Sequence, residues 1–312
     1  MNIITVTLSP ARDIHCRAES FSAEKENFAE ITSKDAGGKG VNISRALSSC
    51  GIKSTAVVAV GKDNADGFLS SLSVDGVDFE AIYTMGSIRE NITVHPASSK
   101  ETRLSFSGFS GDCLLIEDVE NCVRNMAQKG DLVAIAGSIP SGIGVEAVKN
   151  FVLRLKADGV RVIIDSRSFS KDDTIECAPF LIKPNEEEIV AYTGHVTKDL
   201  EEASAAAESI RQKGIENVMI SLGAKGAVLA TECGIFFAEA PKITALSTIG
   251  AGDSSIAGFL AAYRDGKSYG DCLKNAIAYG SAACLTDGTR PPKKDDIERF
   301  IAKTDVTFRN IV

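Results

Sequence analysis

The chain has 312 residues, 44% of them apolar and 24% charged, the composition of an ordinary folded protein rather than a disordered one. Its 34 basic and 42 acidic side chains leave a net charge of −8, which argues against nonspecific binding to nucleic acid or to a membrane surface, since both need a basic face. No run of about 18 apolar residues offers a membrane span, and the 8 cysteines, with no CxxC pair and 3 histidines beside them, give no zinc spacing and read as free thiols of a cytoplasmic protein.

The opening Met1-Asn-Ile-Ile-Thr-Val-Thr7 reads as a strand, without the basic flank and apolar core of a signal peptide. Residues 12–35 are polar with weak alternation. A helix over Gly40–Cys50 and a strand over Ser54–Val60 follow. Residues 86–108 alternate well, with Ile92, Val94, Leu104 and Phe106 apolar and His95–Lys100 as a turn. These two distant segments are expected to pair as one small antiparallel sheet projecting from the main body. From Asp131 onward strands and helices alternate. Strands are expected over Asp131–Ala136, Arg161–Ile164, Phe180–Ile182, Val218–Ser221 and Ala227–Ala230. Helices are expected over Val145–Lys156, Leu200–Lys213, Gly252–Arg264 and Tyr269–Leu285. Such alternation predicts a doubly wound α/β fold, a mostly parallel sheet with helices on both faces.

Four motifs could carry chemistry. In Ser247–Phe259 the small residues Gly250, Ala251 and Gly252 lead straight into a helix, so their N–H groups can converge on an anion at its positive end. Asp253 sits in that first turn, either beside the anion or as a helix cap. Asp35-Ala-Gly-Gly-Lys-Gly-Val-Asn42 has glycines that admit close backbone approach, a cation at Lys39 and a two-way hydrogen bonder at Asn42. It is neither a Walker A loop nor a full GxGxxG. In Lys183-Pro-Asn-Glu-Glu-Glu188, Asn185 and Glu188 share a face at an expected helix start. There they either supply hard oxygens to Mg²⁺ or its water shell, or simply start the helix. Ser221-Leu-Gly-Ala-Lys-Gly226 is a Gly-rich turn after a strand.

In this order, and with the opening Thr5–Asp13 and Ala136-Gly-Ser-Ile-Pro-Ser-Gly142, these motifs resemble the PfkB, or ribokinase-like, family of carbohydrate kinases over nearly the whole chain. Thr-Leu-x-Pro-Ala-x-Asp at the start, Gly-Gly-Lys-Gly-x-Asn and Arg89-Glu-Asn-Ile-Thr-Val94 resemble its hexose-phosphate branch. The resemblance implies an ATP- and Mg²⁺-dependent kinase for a sugar phosphate. Fructose 1-phosphate, giving fructose 1,6-bisphosphate, is the first expected substrate and tagatose 6-phosphate the second. Another sugar or nucleoside kinase of the same fold, or a non-catalytic ligand sensor, are the alternatives; a sensor has no need of a base at Asp253.

Carried over from the resemblance, Asp253 is the general base, and Gly250, Ala251 and Gly252 form the anion hole. Asp13, Gly38 and Asn42 hold sugar hydroxyls, Lys39 and Arg89 take the substrate's phosphate, and Ser138 lines the floor. Lys183, Asn185 and Glu188 face the nucleotide phosphates and Mg²⁺, the last two through the ion's water shell. Ser221, Gly223, Gly226, Asn275 and Ser281 border the nucleotide. The implied division is an α/β unit of residues 1–11, 36–85 and 109–312, with a β lid of residues 12–35 and 86–108 through which a homodimer forms. Two departures from the family pattern, Arg12 and Arg103, place new cations near the sugar end, where they either read a second anionic group or face solvent.

Overall fold

The computed structural model describes residues 1–97, 101–197 and 199–310. In chain order the elements are β1 (Ile3–Thr7), β2 (Ala11–Ala18), β3 (Glu30–Gly37), α1 (Lys39–Ser48), β4 (Thr55–Gly61), α2 (Ala65–Val74), β5 (Asp78–Thr84), β6 (Arg89–Pro96), β7 (Thr102–Ser105), α3 (Cys113–Met126), β8 (Leu132–Ala136) and α4 (Val145–Ala157). Then come β9 (Arg161–Asp165), α5 (Lys171–Cys177), β10 (Leu181–Ile182), α6 (Val190–Thr193), α7 (Leu200–Arg211), β11 (Asn217–Ser221), β12 (Ala227–Thr231), β13 (Gly234–Ala238), α8 (Ala251–Arg264), α9 (Tyr269–Ala283), α10 (Lys294–Lys303) and β14 (Thr307–Arg309).

A 10-stranded sheet has the order β14-β13-β12-β11-β10-β9-β8-β1-β4-β5. From β11 to β5 every pairing is parallel, and β12, β13 and β14 add an antiparallel edge. The central strands are continuous apolar runs because helices cover both faces. Along β1, Ile4 and Val6 enter the core made with Val119, Phe151 and Ile210, whereas Ile3 enters the opposite core with Leu47, Phe259 and Leu273. This is the two-residue period of a strand sending alternate side chains to opposite layers.

A smaller sheet has the order β3-β2-β6-β7. Its two hairpins, β2–β3 and β6–β7, are antiparallel as expected, but they meet through a parallel pairing of β2 with β6. The reason lies in the main sheet, where β1 and β5 run the same way and each passes outward into a strand of the small sheet. The turn expected at His95–Lys100 includes residues 98–100, which lie outside the described part. Register divides the small sheet's side chains. Asp13 lies opposite Asn91, and His15 opposite Thr93 and so in line with Arg103, on a polar face; Ile14, Ile92 and Leu104, with Cys16, Val94 and Ile31, form the apolar face.

Arg45 of α1 joins the two sheets. It is 3% exposed and reaches Asp75 Oδ2 at 2.6 Å and Asp35 Oδ1 at 3.7 Å. It also donates to the carbonyls of Ala36 at 2.9 Å and Thr289 at 3.1 Å. One guanidinium thus gathers the end of β3, the end of α2 and the loop after α9. Truncating one partner of a buried ionic cluster leaves the others unpaired. Arg45→Met should therefore lower stability by about 3–5 kcal/mol, measured as a fall in the urea midpoint with an unchanged denaturant slope.

Candidate active site

Helix α8 begins at Ala251, one residue earlier than expected, with Gly250 as its N-cap at φ 78°. Only glycine takes that left-handed conformation freely, so the turn that aims the following amides depends on it. Ala251 N–H leans on Thr248 O at 3.4 Å, and the first helical bond runs from Ser254 N–H to Gly250 O at 2.9 Å. The amides of Gly252 and Asp253 carry no hydrogen bond among the described residues. Asp253 does not cap the helix. Its carboxylate, 7% exposed, accepts from Asn42 Nδ2 at 2.8 Å. Asn42 in turn sits in the first turn of α1, whose backbone lies so close to β1 that a Cβ on Gly40 would meet Thr7 Oγ1 at 2.4 Å.

Four charges surround this junction. Asp165, at the C-terminal end of β9, accepts from Lys39 Nζ at 2.9 Å through Oδ1, and its Oδ2 is buried without a partner. Burial, and then the neighbouring Asp165 charge, push the Asp253 carboxyl up to about 6 against the pull of Asn42, Lys39 and Lys183. Burial opposes the Lys39 charge, yet Asp165, with help from Asp253 and Glu188, holds that ammonium above its usual range. Lys39 was expected at the sugar phosphate; it is instead engaged by Asp165, because the first residue of α1 faces the ends of β8 and β9. Lys183 is 6% exposed and has no ion pair among the described residues. A Cβ on Gly252 would meet its Nζ at 2.9 Å. An ammonium held over the positive end of a helix is electrostatically unfavourable by itself and favourable around an anion.

The small sheet forms the other end. Asp13 is 6% exposed, and its Oδ1 accepts from Asn91 Nδ2 at 2.8 Å and from Arg103 Nη2 at 3.0 Å. Its Oδ2 abuts Gly37, where a Cβ would lie 2.5 Å away. Gly38, at φ 123°, then opens α1 toward Asn42. Arg89 donates to the carbonyls of Ser9 at 3.3 Å and Pro10 at 3.4 Å. Burial lowers its proton affinity; Asp13 opposes that effect and Arg103 adds to it. Arg12 does not stand beside Asp13. Adjacent strand residues point to opposite faces, so Arg12 turns toward Glu90 at 3.7 Å and packs over Gly67 of α2. Ser138 is exposed in the loop after β8.

At the third margin, Ser221 ends β11, with Gly223 and Gly226 in the following turn at φ 54° and 111°. At the helix start expected at Asn185 the chain first makes a turn over 186–189, and α6 follows it. Asn185 Oδ1 accepts from the amides of Glu187 at 2.9 Å and Glu188 at 2.8 Å, while Asn185 N–H donates to Glu188 Oε2 at 3.2 Å. This reciprocal pair has the geometry of a capping box, and Ile189 N–H closes the turn on Asn185 O at 2.9 Å, with the regular helix α6 following from Val190. Glu188 Oε1 accepts from Arg167 Nε at 2.9 Å. A pocket of about 320 Å³ opens beside it, lined by Asp165, Arg167, Lys183 and Glu188. On α9, Ser281 is buried, and Asn275 spends its amide on Asp271 O at 2.8 Å. Sequence reasoning did not single out Asp165 or Asn91. The signal for Asp165 was a carboxylate closing an apolar strand, and for Asn91 a central polar residue in an alternating run.

The family model described as pfkB family carbohydrate kinase matches residues 6–296. The chain is 30% identical over 308 residues to a 1-phosphofructokinase of Haemophilus influenzae, covering 98% of each. It is 29% identical over 307 residues to the 1-phosphofructokinase of Escherichia coli K12, covering 97% of each. The crystal structure of phosphofructokinase-2 from Escherichia coli in complex with substrates and products superposes with a TM-score of 0.92 at 25% identity, over 97% of this chain and 99% of that one. The chain belongs to the pfkB family of carbohydrate kinases.

Proposed function

We propose that this carbohydrate kinase transfers the γ-phosphoryl group of ATP to a hexose phosphate, with fructose 1-phosphate as the first substrate and tagatose 6-phosphate as the second. The observation that carries the reading is a buried base set beside an anion cradle: Asp253 bonded to Asn42, with the free amides that open α8 lying beneath Lys183. Phosphoryl transfer asks the protein mainly for positioning and charge stabilisation. Asp253 takes the proton of the attacking sugar hydroxyl, and Asn42 holds its carboxylate in line. The amides of Gly250, Ala251 and Gly252, with Lys183, receive the equatorial oxygens of the moving phosphoryl group. Asp13, Gly38 and Asn42 position sugar hydroxyls, Arg89 takes the sugar's phosphate, and Ser138 lies at the floor. Ser221, Gly223, Gly226, Asn275 and Ser281 border the nucleotide.

The donor set also fits a magnesium–nucleotide complex. Mg²⁺ keeps most of its waters and takes one or two carboxylates together with substrate phosphates. The described residues contain no cluster of three His, Cys, Asp or Glu side chains that would make an all-protein metal cage. They do offer Asp165, with its unpartnered Oδ2, and Glu188 on the pocket wall, with Asn185 acting through water. When bound, the ion would neutralise part of the phosphate charge.

The small sheet's apolar face supports a second copy of the chain as partner. Ile31 is 57% exposed and Leu104 46%, flanking the buried Ile14, Cys16 and Val94. Leu104→Glu should shift the protein to monomer in light scattering, whereas an unchanged mass would remove the face from the interface.

Asp253→Asn keeps the hydrogen bond to Asn42 but removes the base, and should lower kcat by roughly 10²–10⁴ with ATP affinity retained. In the wild type, activity should fall as pH drops through about 6, where the carboxylate gains its proton. The folded-state value lies above the unfolded one, so the folded form binds more protons between them and stability falls as pH rises toward 6. Asp253→Asn should accordingly unfold at a higher temperature than the wild type at pH 7.5.

The substrate class is tested by ADP release over a panel of sugars and sugar phosphates. Fructose 1-phosphate should lead, and preference for an unphosphorylated sugar would reject the hexose-phosphate reading while leaving the kinase. Within that panel Arg89→Ala should raise KM for the sugar phosphate by roughly 10- to 150-fold, the worth of a charge-assisted bond, and leave KM for ATP unchanged.

A further inference from the structure

The two carboxylates offered to Mg²⁺ differ in how open they are. Asp165 gives Oδ1 to Lys39 at 2.9 Å and keeps Oδ2 buried without a partner. Glu188 has both oxygens engaged: Oε2 accepts from Asn185 N–H at 3.2 Å and Oε1 from Arg167 Nε at 2.9 Å. The first bond belongs to the turn itself, because Asn185 Oδ1 accepts in return from the amides of Glu187 and Glu188. The second is a charge brought from another element. Arg167 lies in the loop between β9 and α5, just past Asp165.

The two partners sit differently. The Arg167 side chain is 69% exposed and that of Glu188 22%, so the guanidinium is the solvent-side partner of a carboxylate set in the pocket wall. Among the described residues Arg167 makes no other side-chain hydrogen bond or ion pair. An ion pair of this exposure is weak and easily exchanged. Arg167 and Glu188 line the same pocket as Asp165 and Lys183, and the charges of Glu187 and Asp165 also reach the guanidinium, less strongly than that of Glu188. A carboxylate oxygen can accept a second hydrogen bond, but the single charge of Glu188 cannot neutralise both a guanidinium and a divalent cation, and two cations at one carboxylate repel each other. A nucleotide phosphate offers the displaced guanidinium a new partner, one that its planar fork suits.

We infer that Arg167 is a positioning residue that serves as the resident counter-ion of Glu188: it neutralises the carboxylate while the pocket holds no metal, competes with Mg²⁺ for it, and passes to a nucleotide phosphate when the two ligands enter together. The inference rests on the magnesium role of Glu188 proposed above. It couples the two ligands. Metal alone has to displace Arg167 with nothing to receive it, and nucleotide alone draws Arg167 away from a carboxylate left uncompensated. Together each removes the obstacle to the other, and such coupling is reciprocal.

The test is equilibrium binding without sugar, so that no turnover enters: Mn²⁺ alone, followed by the electron paramagnetic resonance of the free ion, and ATP alone in EDTA, followed by calorimetry. Arg167→Gln should bind Mn²⁺ about two- to fivefold more tightly and metal-free ATP more weakly by about the same factor, the scale of an exposed ion pair. Arg167→Lys, which keeps the charge, should lie between Arg167→Gln and the wild type in both. In Arg167→Gln/Glu188→Gln the gain in Mn²⁺ affinity should vanish. Unchanged binding of both ligands in Arg167→Gln overturns the inference, and so does a shift of both in the same direction, which would show that Arg167 only steadies the turn. A gain that persists in the double variant also overturns it, since the effect would then be a general field and not competition for Glu188. If Glu188→Gln by itself leaves Mn²⁺ binding unchanged, the magnesium role of Glu188 is rejected and the inference with it.

Discussion

The hydrogen bond from Asn42 Nδ2 to Asp253 Oδ2 joins the first turns of two helices whose residues are 211 positions apart in the chain. Much else in the site depends on it. It requires α1 and α8 to begin at the same end of the sheet with their positive termini converging. That in turn requires glycine where α1 enters against β1 and where α8 turns in at Gly250. It also turns a side chain that could have served the helix start into a buried carboxylate with one polar partner. Desolvation then raises its proton affinity, the property a base near neutral pH needs.

Charge is arranged around that bond in two separate balances. Asp165 holds Lys39 in place and leaves one oxygen unpaired, while Lys183 stands over open amides without a carboxylate of its own. Neither arrangement would persist at no cost in an interior that had nothing to bind; buried polar groups are ordinarily paired. Their incompleteness is what the proposed binding of phosphate groups and an accompanying cation would make good. At the small sheet one oxygen of Asp13 accepts from both Asn91 and Arg103.

The small sheet is tied to this centre and is not a loose appendage. Its polar face carries Asp13, Asn91 and Arg103, its apolar face is a separate surface, and Arg45 fixes the end of β3 to α1 and to the loop after α9. A movement of the sheet relative to the main body therefore has to pivot about a buried guanidinium. That confines its polar face to the neighbourhood of α1.

The α/β alternation, the parallel core strands and the alternating segments of the small sheet were legible in the sequence, because they rest on local periodicity and on Gly-rich turns. The motifs around Gly38, Lys183, Ser221 and Gly250 were legible for the same reason: each is a short strand-to-helix turn whose composition declares its geometry. Partnership was not legible. Nothing local says that Lys39 meets Asp165 or that Arg103 bonds to Asp13 while Arg12 faces away. Those outcomes follow from register and strand order. A one-residue difference in strand position reverses the face a side chain occupies, and the parallel joining of β2 to β6 is decided by the directions of β1 and β5 in another sheet. The sequence by itself determined which chemical groups the site contains; the tertiary structure decided which of them share a charge, because electrostatic partners are chosen by distance in space and not along the chain.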